Sequence, residues 1–545
     1  MDDNGSNKLS NLTVAERLMQ CLHDLGVRYV FGIPGGPSMP YMQAMRVHGI
    51  EFILVANEAS AGIMADVCAR ITGILGVCHG TLGPGATNLT TGVGCAYLDR
   101  SPLIVLTSEP GDDMISRKSQ MHINHQALFA PITKWTTRLS RDNVAGTVHK
   151  AMEIAMSEVP GPVHIGLPTD LADEMASEGD FTSTVNSNGV PAPDVKLLEK
   201  VEQLLGTAKK PIFAVGLTAA RLKLNDLLLT AAQKHMIPII LTPMAKGMLP
   251  EDHRCYAGVL FHALSDHVAI TYRQADLIVG IGYDPVEFNY EQWMPDVPLI
   301  HLDSSPADID NTYNLACDVV GDLRQSLGYI ARIAPIRTDW DLDALSERRA
   351  VMFESLKSDT FGPIAALTIL REIMPQDGIM ACDVGAHTHL IGQMWPTPAP
   401  GLQIMTNGWS SMGFGVPAAI AAKFCLPDCA VACVSGDGGF LMMAGEMITA
   451  RRLNLNVVFV VLADKELSLI HVKQEHKGYE HYGTKLYDGD FFASDCIFGV
   501  PILTARSHDE MREALNKAFA ADGPIVVEAV IDGTEYKRLI AREYK

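Results

Sequence analysis

"AVACVSGDGGFLMMAGEMITARRLNLNVVFVVLADKE", residues 430–466, consists of two apolar strands separated by a helical pattern. AVACVSGDG (430–438) runs into Gly436, Asp437, Gly438 and Gly439. Glycines at a strand end let the backbone approach a ligand closely, and the N–H groups opening the next helix can hold a phosphate. LMMAGEMITARRLNL (441–455) is expected to be one helix, and VVFVVLAD (457–464) is a second strand that stops on Asp464, Lys465 and Glu466. A strand–helix–strand unit of this length brings both strand ends to the same edge of a parallel sheet. Asp437 and Asp464, 27 residues apart, would share that edge. Taken alone, GDG is a common turn and the charged strand tip is a solvated loop. Taken together, two carboxylates beside a phosphate cradle form the oxygen-rich set that Mg²⁺ prefers.

The same alternation of β-branched runs with helical patterns fills the chain, as expected of βα units on parallel sheets. Further strands are expected at 29–33, 51–56, 103–108, 163–167, 212–216, 277–282 and 299–303. Two polar stretches, 177–194 and 334–349, have linker composition. The expected fold is α/β, with three doubly wound parallel-sheet domains at 1–180, 190–340 and 355–545.

Of the 545 residues, 48% are hydrophobic and 19% charged, the balance of a folded chain. A formal net charge of −20 argues against nucleic acid or an anionic membrane as partner, since both need clustered Lys and Arg. A small anionic substrate remains compatible. The N-terminal MDDNGSNKLSN is acidic and polar, unlike a leader peptide, and no apolar run reaches membrane-spanning length. Eleven scattered cysteines are expected to be reduced core residues of a cytoplasmic protein. Cys425, Cys429 and Cys433 have a spacing that an iron–sulfur cluster could use, but Cys433 lies inside a strand pattern.

Several blocks in order carry a resemblance. FGIPGG (31–36), ANEASAGIMADVCAR (56–70), TLGPGATNLTTGV (81–93) and LFAPITKW (128–135) come first, then GYDPVEFNYEQW (282–293) and PLIHLDSSPADID (298–310). DVGAHTH (383–389), GWSSMGFGVPAAIAA (408–422) and the GDG block follow. Over essentially its whole length the chain resembles the thiamine diphosphate (ThDP) enzymes, and most of all the FAD-independent catabolic acetolactate synthases.

That resemblance implies a pyrimidine-binding, a central and a diphosphate-binding domain, with ThDP and Mg²⁺ as cofactors and no FAD. Asp437 and the Asp464 side chain would bind the metal, with the Glu466 backbone carbonyl as a third ligand. Most of the family has Asn-Asn where this chain has Ala463-Asp464; Asp keeps an oxygen ligand. Pro34, Gly35, Gly385, Ala386, His387, Thr388, Gly436, Gly438, Gly439 and Ile470 would line the cofactor. Met412 would wedge its two rings into a V, and the Ser410 carbonyl would accept from its amino group. Glu58, otherwise a solvated carboxylate favoured at a helix start, would hydrogen-bond the aminopyrimidine and be the principal catalytic residue. The implied reaction is decarboxylation of a 2-oxo acid, with the retained unit passed to an aldehyde or keto acceptor; decarboxylation without ligation, or cleavage of another C–C bond, is the alternative.

The substrate side departs from acetolactate synthase. Pro37 stands where catabolic synthases carry a lysine, and SQMHINHQ (119–126) offers Gln120 or His122 in place of their His-Gln pair. His79 is either a satisfied core histidine or a residue lining the site. Ile470, His471 and Gln474 are candidates to face substrate, while Lys473, Glu475 and Lys477 are expected on a solvated helix face. A flavin- or NAD-dependent oxidoreductase is disfavoured because 211–220 lacks G-x-G-x-x-G. A silent paralogue is disfavoured by the intact Glu58, Asp437 and Asp464. At least a homodimer is implied, with a homotetramer expected, and Glu58 and Asp437 would meet across its interface.

Overall fold

Long runs of Val, Ile and Leu without polar alternation suit strands covered on both faces, and the computed structural model places them so. It describes residues 12–177, 189–260, 265–287, 295–310 and 312–540. The chain forms two compact units, Met1–Ser187 and Asn188–Lys545. The nine strands expected from sequence are all present, with ends shifted by no more than two residues.

The first unit holds a six-stranded parallel sheet of β1 (Tyr29–Gly32), β2 (Glu51–Leu54), β3 (Gly76–Gly80), β4 (Leu103–Glu109), β5 (Trp135–Arg138) and β6 (Val163–Pro168). Its spatial order is β2-β1-β3-β4-β6-β5. The second unit carries two sheets. One contains β7 (Pro211–Val215), β8 (Ile239–Leu241), β9 (Tyr256–Val259), β10 (Leu277–Ile281), β11 (Leu299–Asp303) and β12 (Leu315–Val320), ordered β12-β11-β10-β7-β8-β9. The other contains β13 (Ile379–Cys382), β14 (Gln403–Ile404), β15 (Val431–Gly436), β16 (Val457–Ala463), β17 (Cys496–Ile497), β18 (Val500–Ala505) and β19 (Ile525–Val530), ordered β14-β13-β15-β16-β19-β18-β17. Among the described pairings only β17–β18 is antiparallel. Strand order reverses beside β1, β7 and β15, and such switch points are where open α/β sheets receive ligands.

Three local differences from expectation have physical reasons. The helix after β15 begins at Asp437 with Gly436 as its N-cap, so DGGF forms its first turn ahead of the expected start at Leu441. It stops at Met443 and a second helix runs over Glu446–Arg452, with Ala444 and Gly445 between them; glycine weakens a helix interior. Part of the polar stretch at 334–349 is anchored rather than free. Trp340 donates Nε1–H to the Pro211 carbonyl at 2.7 Å, and the helix Asp343–Leu356 starts inside the stretch, burying Leu345. The 177–194 linker lies mostly outside the described residues, as do 288–293 of GYDPVEFNYEQW.

Candidate active site

β15 and β16 pair in parallel with Gly436 opposite Leu462, so the residues that follow emerge side by side. Asp437 is buried. Its Oδ2 accepts from the Lys465 amide at 2.8 Å, the Asp464 amide at 3.2 Å and Tyr487 Oη at 3.0 Å. Its Oδ1 accepts from the Gly438 amide at 2.8 Å. Asp464 accepts from the Glu466 amide at 3.3 Å and from Ser468 Oγ. Among the described residues neither carboxylate has a Lys, Arg or His as ion-pair partner. Burial, with the nearby charge of Asp437 adding to it, pushes Asp464 up to about 7; burial also raises Asp437 despite its four donors.

A cavity of about 120 Å³ opens over this pair, and Gly385, His387, Met412, Gly438 and Ile470 contribute to its lining. His387 Nε2 is buried without a hydrogen-bond partner, and burial lowers the ring's pKa to about 4, leaving it neutral. A Cβ on Gly438 would come within 2.9 Å of the Leu467 side chain and 3.2 Å of Met412 Cε. A Cβ on Gly439 would lie 2.2 Å from Asp383 Oδ2. An uncompensated acid pair, an orphaned ring nitrogen and a glycine floor together fit a diphosphate held through a divalent cation.

Other residues predicted for this site take positioning roles. Thr388 Oγ1 accepts from the Gly385 amide at 2.9 Å and donates to the Asp383 carbonyl at 2.6 Å, closing the turn that opens the helix Ala386–Met394. Ser410 has φ 53° and is exposed, its hydroxyl donating to the Asn407 carbonyl at 2.6 Å. Asp383 was not singled out from the sequence. It is fully buried and accepts from Ser435 Oγ at 2.6 Å, the Val384 amide at 2.7 Å and the Gly413 amide at 2.8 Å. It thereby ties the ends of β13 and β15 to the loop bearing Met412. The available signal was an acid closing the apolar strand GIMACD.

In the first unit, Glu58 is the first residue of the helix Glu58–Thr72, whose N-cap Asn57 accepts from the Ala59 amide at 2.8 Å. Such a position favours a carboxylate electrostatically. Glu58 is 6% exposed, and its Oε2 accepts from Asn88 Nδ2 at 3.0 Å. Asn88 lies on the helix Pro84–Leu98, and the two helices cross at glycines. A Cβ on Gly62 would be 2.8 Å from Gly92 Cα, and one on Gly92 would be 2.6 Å from the Ala59 carbonyl oxygen. Arg70 locks the far end of the crossing. It donates through Nε to Asp66 Oδ1 at 2.7 Å and Ser101 Oγ at 3.2 Å, and pairs through Nη2 with Asp66 and with Asp99 at 2.9 Å.

The FGIPGG turn packs on TLGPG, since a Cβ on Gly35 would lie 2.2 Å from Thr81 Oγ1. The Gly35 amide donates to Ser38 Oγ at 3.0 Å, and that oxygen is 2.7 Å from Nε2 of the buried His79. Burial lowers His79 to about 4, so it sits beneath the turn as a neutral prop. Pro34 is half-buried in the same turn. Gln120 is exposed; His122 is half-buried with Nδ1 2.8 Å from the Arg117 carbonyl oxygen. Between them, the Met121 carbonyl oxygen packs against Gly83, where it would lie 2.7 Å from an added Cβ.

A buried polar chain behind Gly83 was not foreseen. The Gly83 amide donates to His125 Nε2 at 3.3 Å, so Nδ1 of that neutral ring carries the proton and faces Thr107 Oγ1 at 2.9 Å. Thr107 is then free to donate to His164 Nε2 at 2.7 Å, and His164 Nδ1 donates to Thr136 Oγ1 at 2.8 Å. Thr136 donates to Gln126 Oε1 at 2.6 Å, and Gln126 donates to Glu109 Oε1 at 2.6 Å. Burial lowers His125 to about 4 and His164 to about 3. Glu109, His125 and His164 lie close enough to share a metal, but every ring nitrogen in that chain already has a partner.

In the central sheet, the switch point at the end of β7 is filled by the chain itself. The Leu217 amide donates to Glu287 Oε2 at 2.7 Å, and a Cβ on Gly216 would be 2.5 Å from the same oxygen.

The sequence matches three family models: the thiamine pyrophosphate enzyme N-terminal TPP binding domain over residues 12–128, the central domain over 198–330 and the C-terminal TPP binding domain over 383–529. It is 30% identical over 551 residues to a "Probable acetolactate synthase large subunit" of Methanocaldococcus jannaschii, covering 96% of this chain and 92% of the relative. It is 28% identical to an acetolactate synthase of Bacillus subtilis, covering 95% and 93%. To the acetolactate synthase isozyme 2 large subunit of Escherichia coli it is 30% identical, covering 96% of each. With this full-length similarity and the three domain matches, the chain belongs to the thiamine diphosphate-dependent enzymes.

Proposed function

We propose that this enzyme decarboxylates a 2-oxo acid and transfers the retained unit to a second carbonyl compound, as an acetolactate synthase-like carboligase using ThDP and Mg²⁺. The observation that carries the reading is the pairing of Asp437 and Asp464, with no basic side chain paired to either among the described residues, over a glycine cradle. Asp437 and Asp464, with the Glu466 carbonyl, would hold the metal, and the backbone at Gly436, Gly438, Gly439 and Gly385–Thr388 would hold the diphosphate. Bound ThDP supplies a nucleophilic carbon and an electron sink for decarboxylation. Asn88 occupies Oε2 of Glu58, so Oε1 is the oxygen through which Glu58 holds or exchanges a proton with the aminopyrimidine. Met412 and Ile470 bring apolar surface to the cavity, and an apolar surround favours loss of CO₂ from an anion.

A second reading, decarboxylation without ligation or cleavage of a different C–C bond, is favoured by one observation. Pro37, within the Gly35–Ser38 turn, offers no amine where the catabolic synthases carry a lysine. Flavin is not expected, because Glu287 takes the central sheet's switch point. The working form is at least a homodimer, expected as a homotetramer, in the cytoplasm; eight of the eleven cysteines are buried.

A panel of 2-oxo acids, with and without aldehyde acceptors, followed by NMR of the products, tests the reading. CO₂ release dependent on ThDP and Mg²⁺, with a new C–C bond in the product, is the expected result. Failure to consume any 2-oxo acid would sink it. Glu58→Gln should bind ThDP but lose turnover by roughly 10²–10⁴-fold, the range for a positioned acid–base group.

A further inference from the structure

The helix Ser468–His476 places His471 and Glu475 one turn apart on one face. After it the chain turns at Gly478, with φ 69°, and doubles back. Gln474 holds the returning segment at both ends of its amide: Nε2 donates to the Tyr482 carbonyl at 2.9 Å, and Oε1 accepts from the Tyr482 amide at 3.2 Å. This brings the His481 ring over His471, with centroids 3.6 Å apart. His481 Nε2 lies 3.2 Å from Glu475 Oε1, and His471 Nε2 lies 3.6 Å from the same oxygen. The donor atoms of all three residues fall within 4.8 Å of one another. The expected solvated role of Glu475 therefore omits its closest neighbours.

Two features point this cluster toward a cation. The Glu466 carboxylate lies against Nδ1 of His471, the ring nitrogen on the other side from the one nearest Glu475. A carboxylate behind a ligating histidine is the usual outer support of a metal site. Moreover, Lys537 Nζ already sits 2.7 Å from Glu475 Oε1, so the point of convergence attracts positive charge. The contrast with the buried His125–His164 chain is direct, because there each ring nitrogen is committed to a neutral partner.

We propose that His471, Glu475 and His481 form a binding site for a borderline transition-metal dication, Zn²⁺, with a fourth position open to water and Lys537 as the resident competitor. Two imidazoles and one carboxylate suit Zn²⁺ and not Mg²⁺, which takes oxygen. The three side chains are 16%, 31% and 44% exposed, so an ion has access. Occupancy would staple the returning segment to the helix. That segment continues through Thr484, whose carbonyl accepts from the Leu467 amide at 2.8 Å, to Tyr487 on Asp437. The metal would therefore stiffen the strap that reaches the cofactor clamp.

The test is calorimetric titration of Zn²⁺ into the full-length enzyme loaded with ThDP and excess Mg²⁺, which requires no turnover. One Zn²⁺ per chain is expected. His481→Ala should weaken it about 100-fold, at the upper end of the effect of losing a supporting partner, while Lys537→Ala should tighten it. Co²⁺ gives a second readout on unaltered protein: a visible ligand-field band with nitrogen and oxygen donors, stronger in Lys537→Ala, supports the site. The proposal is overturned if Zn²⁺ fails to saturate, if His471→Ala/His481→Ala binds it unchanged, or if Co²⁺ shows thiolate charge-transfer bands instead. Because binding is read directly, these outcomes are separate from success or failure of the 2-oxo acid panel.

Discussion

Two acid pairs in this molecule, one fully buried and one with Asp464 half-buried, are built from the same residue type and treated in opposite ways. In the first unit, Asp66 and Asp99 share the guanidinium of Arg70, whose own proton is held more tightly by the two carboxylates. In the third sheet, the partners of Asp437 and Asp464 among the described residues are amides and hydroxyls, and Asp464 is raised to about 7. A permanent cation makes the first pair a structural rivet. The second pair has no such partner among the described residues, which is why it is the pair proposed above to take an exchangeable cation.

The strongest way to break this comparison is to remove the rivet. Arg70→Met should destabilise the protein by about 3–5 kcal/mol, the usual result of stranding a buried charge, read in a urea or thermal melt. Equal stability would mean that the two pairs do not differ as described. Asp437→Asn should leave the fold intact and weaken Mg²⁺-dependent ThDP binding by more than about 100-fold, beyond the loss of an outer-shell partner; calorimetry with and without Mg²⁺ separates metal from cofactor effects.

The pH dependence sharpens the contrast further. An acid raised above its unfolded value binds a proton more tightly when folded. Its contribution to the stability of the metal-free enzyme is therefore full below the unfolded range, near 4, and is lost as pH rises through about 7. Metal binding must displace that proton. Mg²⁺ affinity should thus rise by about tenfold per pH unit up to about 7 and then level off, one proton being exchanged per metal. A flat profile between pH 5 and 7 would contradict the raised Asp464. The smallest effect is expected from Ser468→Ala, which removes one donor from Asp464. About 1 kcal/mol, or roughly fivefold in Mg²⁺ affinity, is the scale of one hydrogen bond.

The placement of Asp437 beside Asp464 was legible in the sequence because local rules determine it. A parallel strand pair joined by a short crossover must deliver Asp437 and Asp464 to one edge, whatever else the chain does. The role proposed for Glu58 comes only from resemblance, since a glutamate at a helix start has an ordinary explanation. Asp383 and the chain from Gly83 to Glu109 stayed hidden for a different reason. Thr107, His125, Thr136 and His164 come from two strands, a short helix and a third strand, and no spacing along the chain reveals that they touch. His471 was visible, but its ring neighbour His481 arrives only because Gln474 folds the returning segment back. The split of the helix after GDGGF likewise turned on two small residues, Ala444 and Gly445, within an otherwise good helical pattern.

The glycine crossing of the helices bearing Glu58 and Asn88 has a practical consequence for anyone altering this enzyme. Gly62 and Gly92 act as a spacer of zero thickness: a single methyl at either would fall within 3 Å of the opposite backbone. The hydrogen bond on Glu58 is thus calibrated at two positions that present nothing to substrate. In a mutational scan scored by activity, these two should register as sharply as active-site positions, and a design effort that ranks residues by proximity to the chemistry would leave both unguarded.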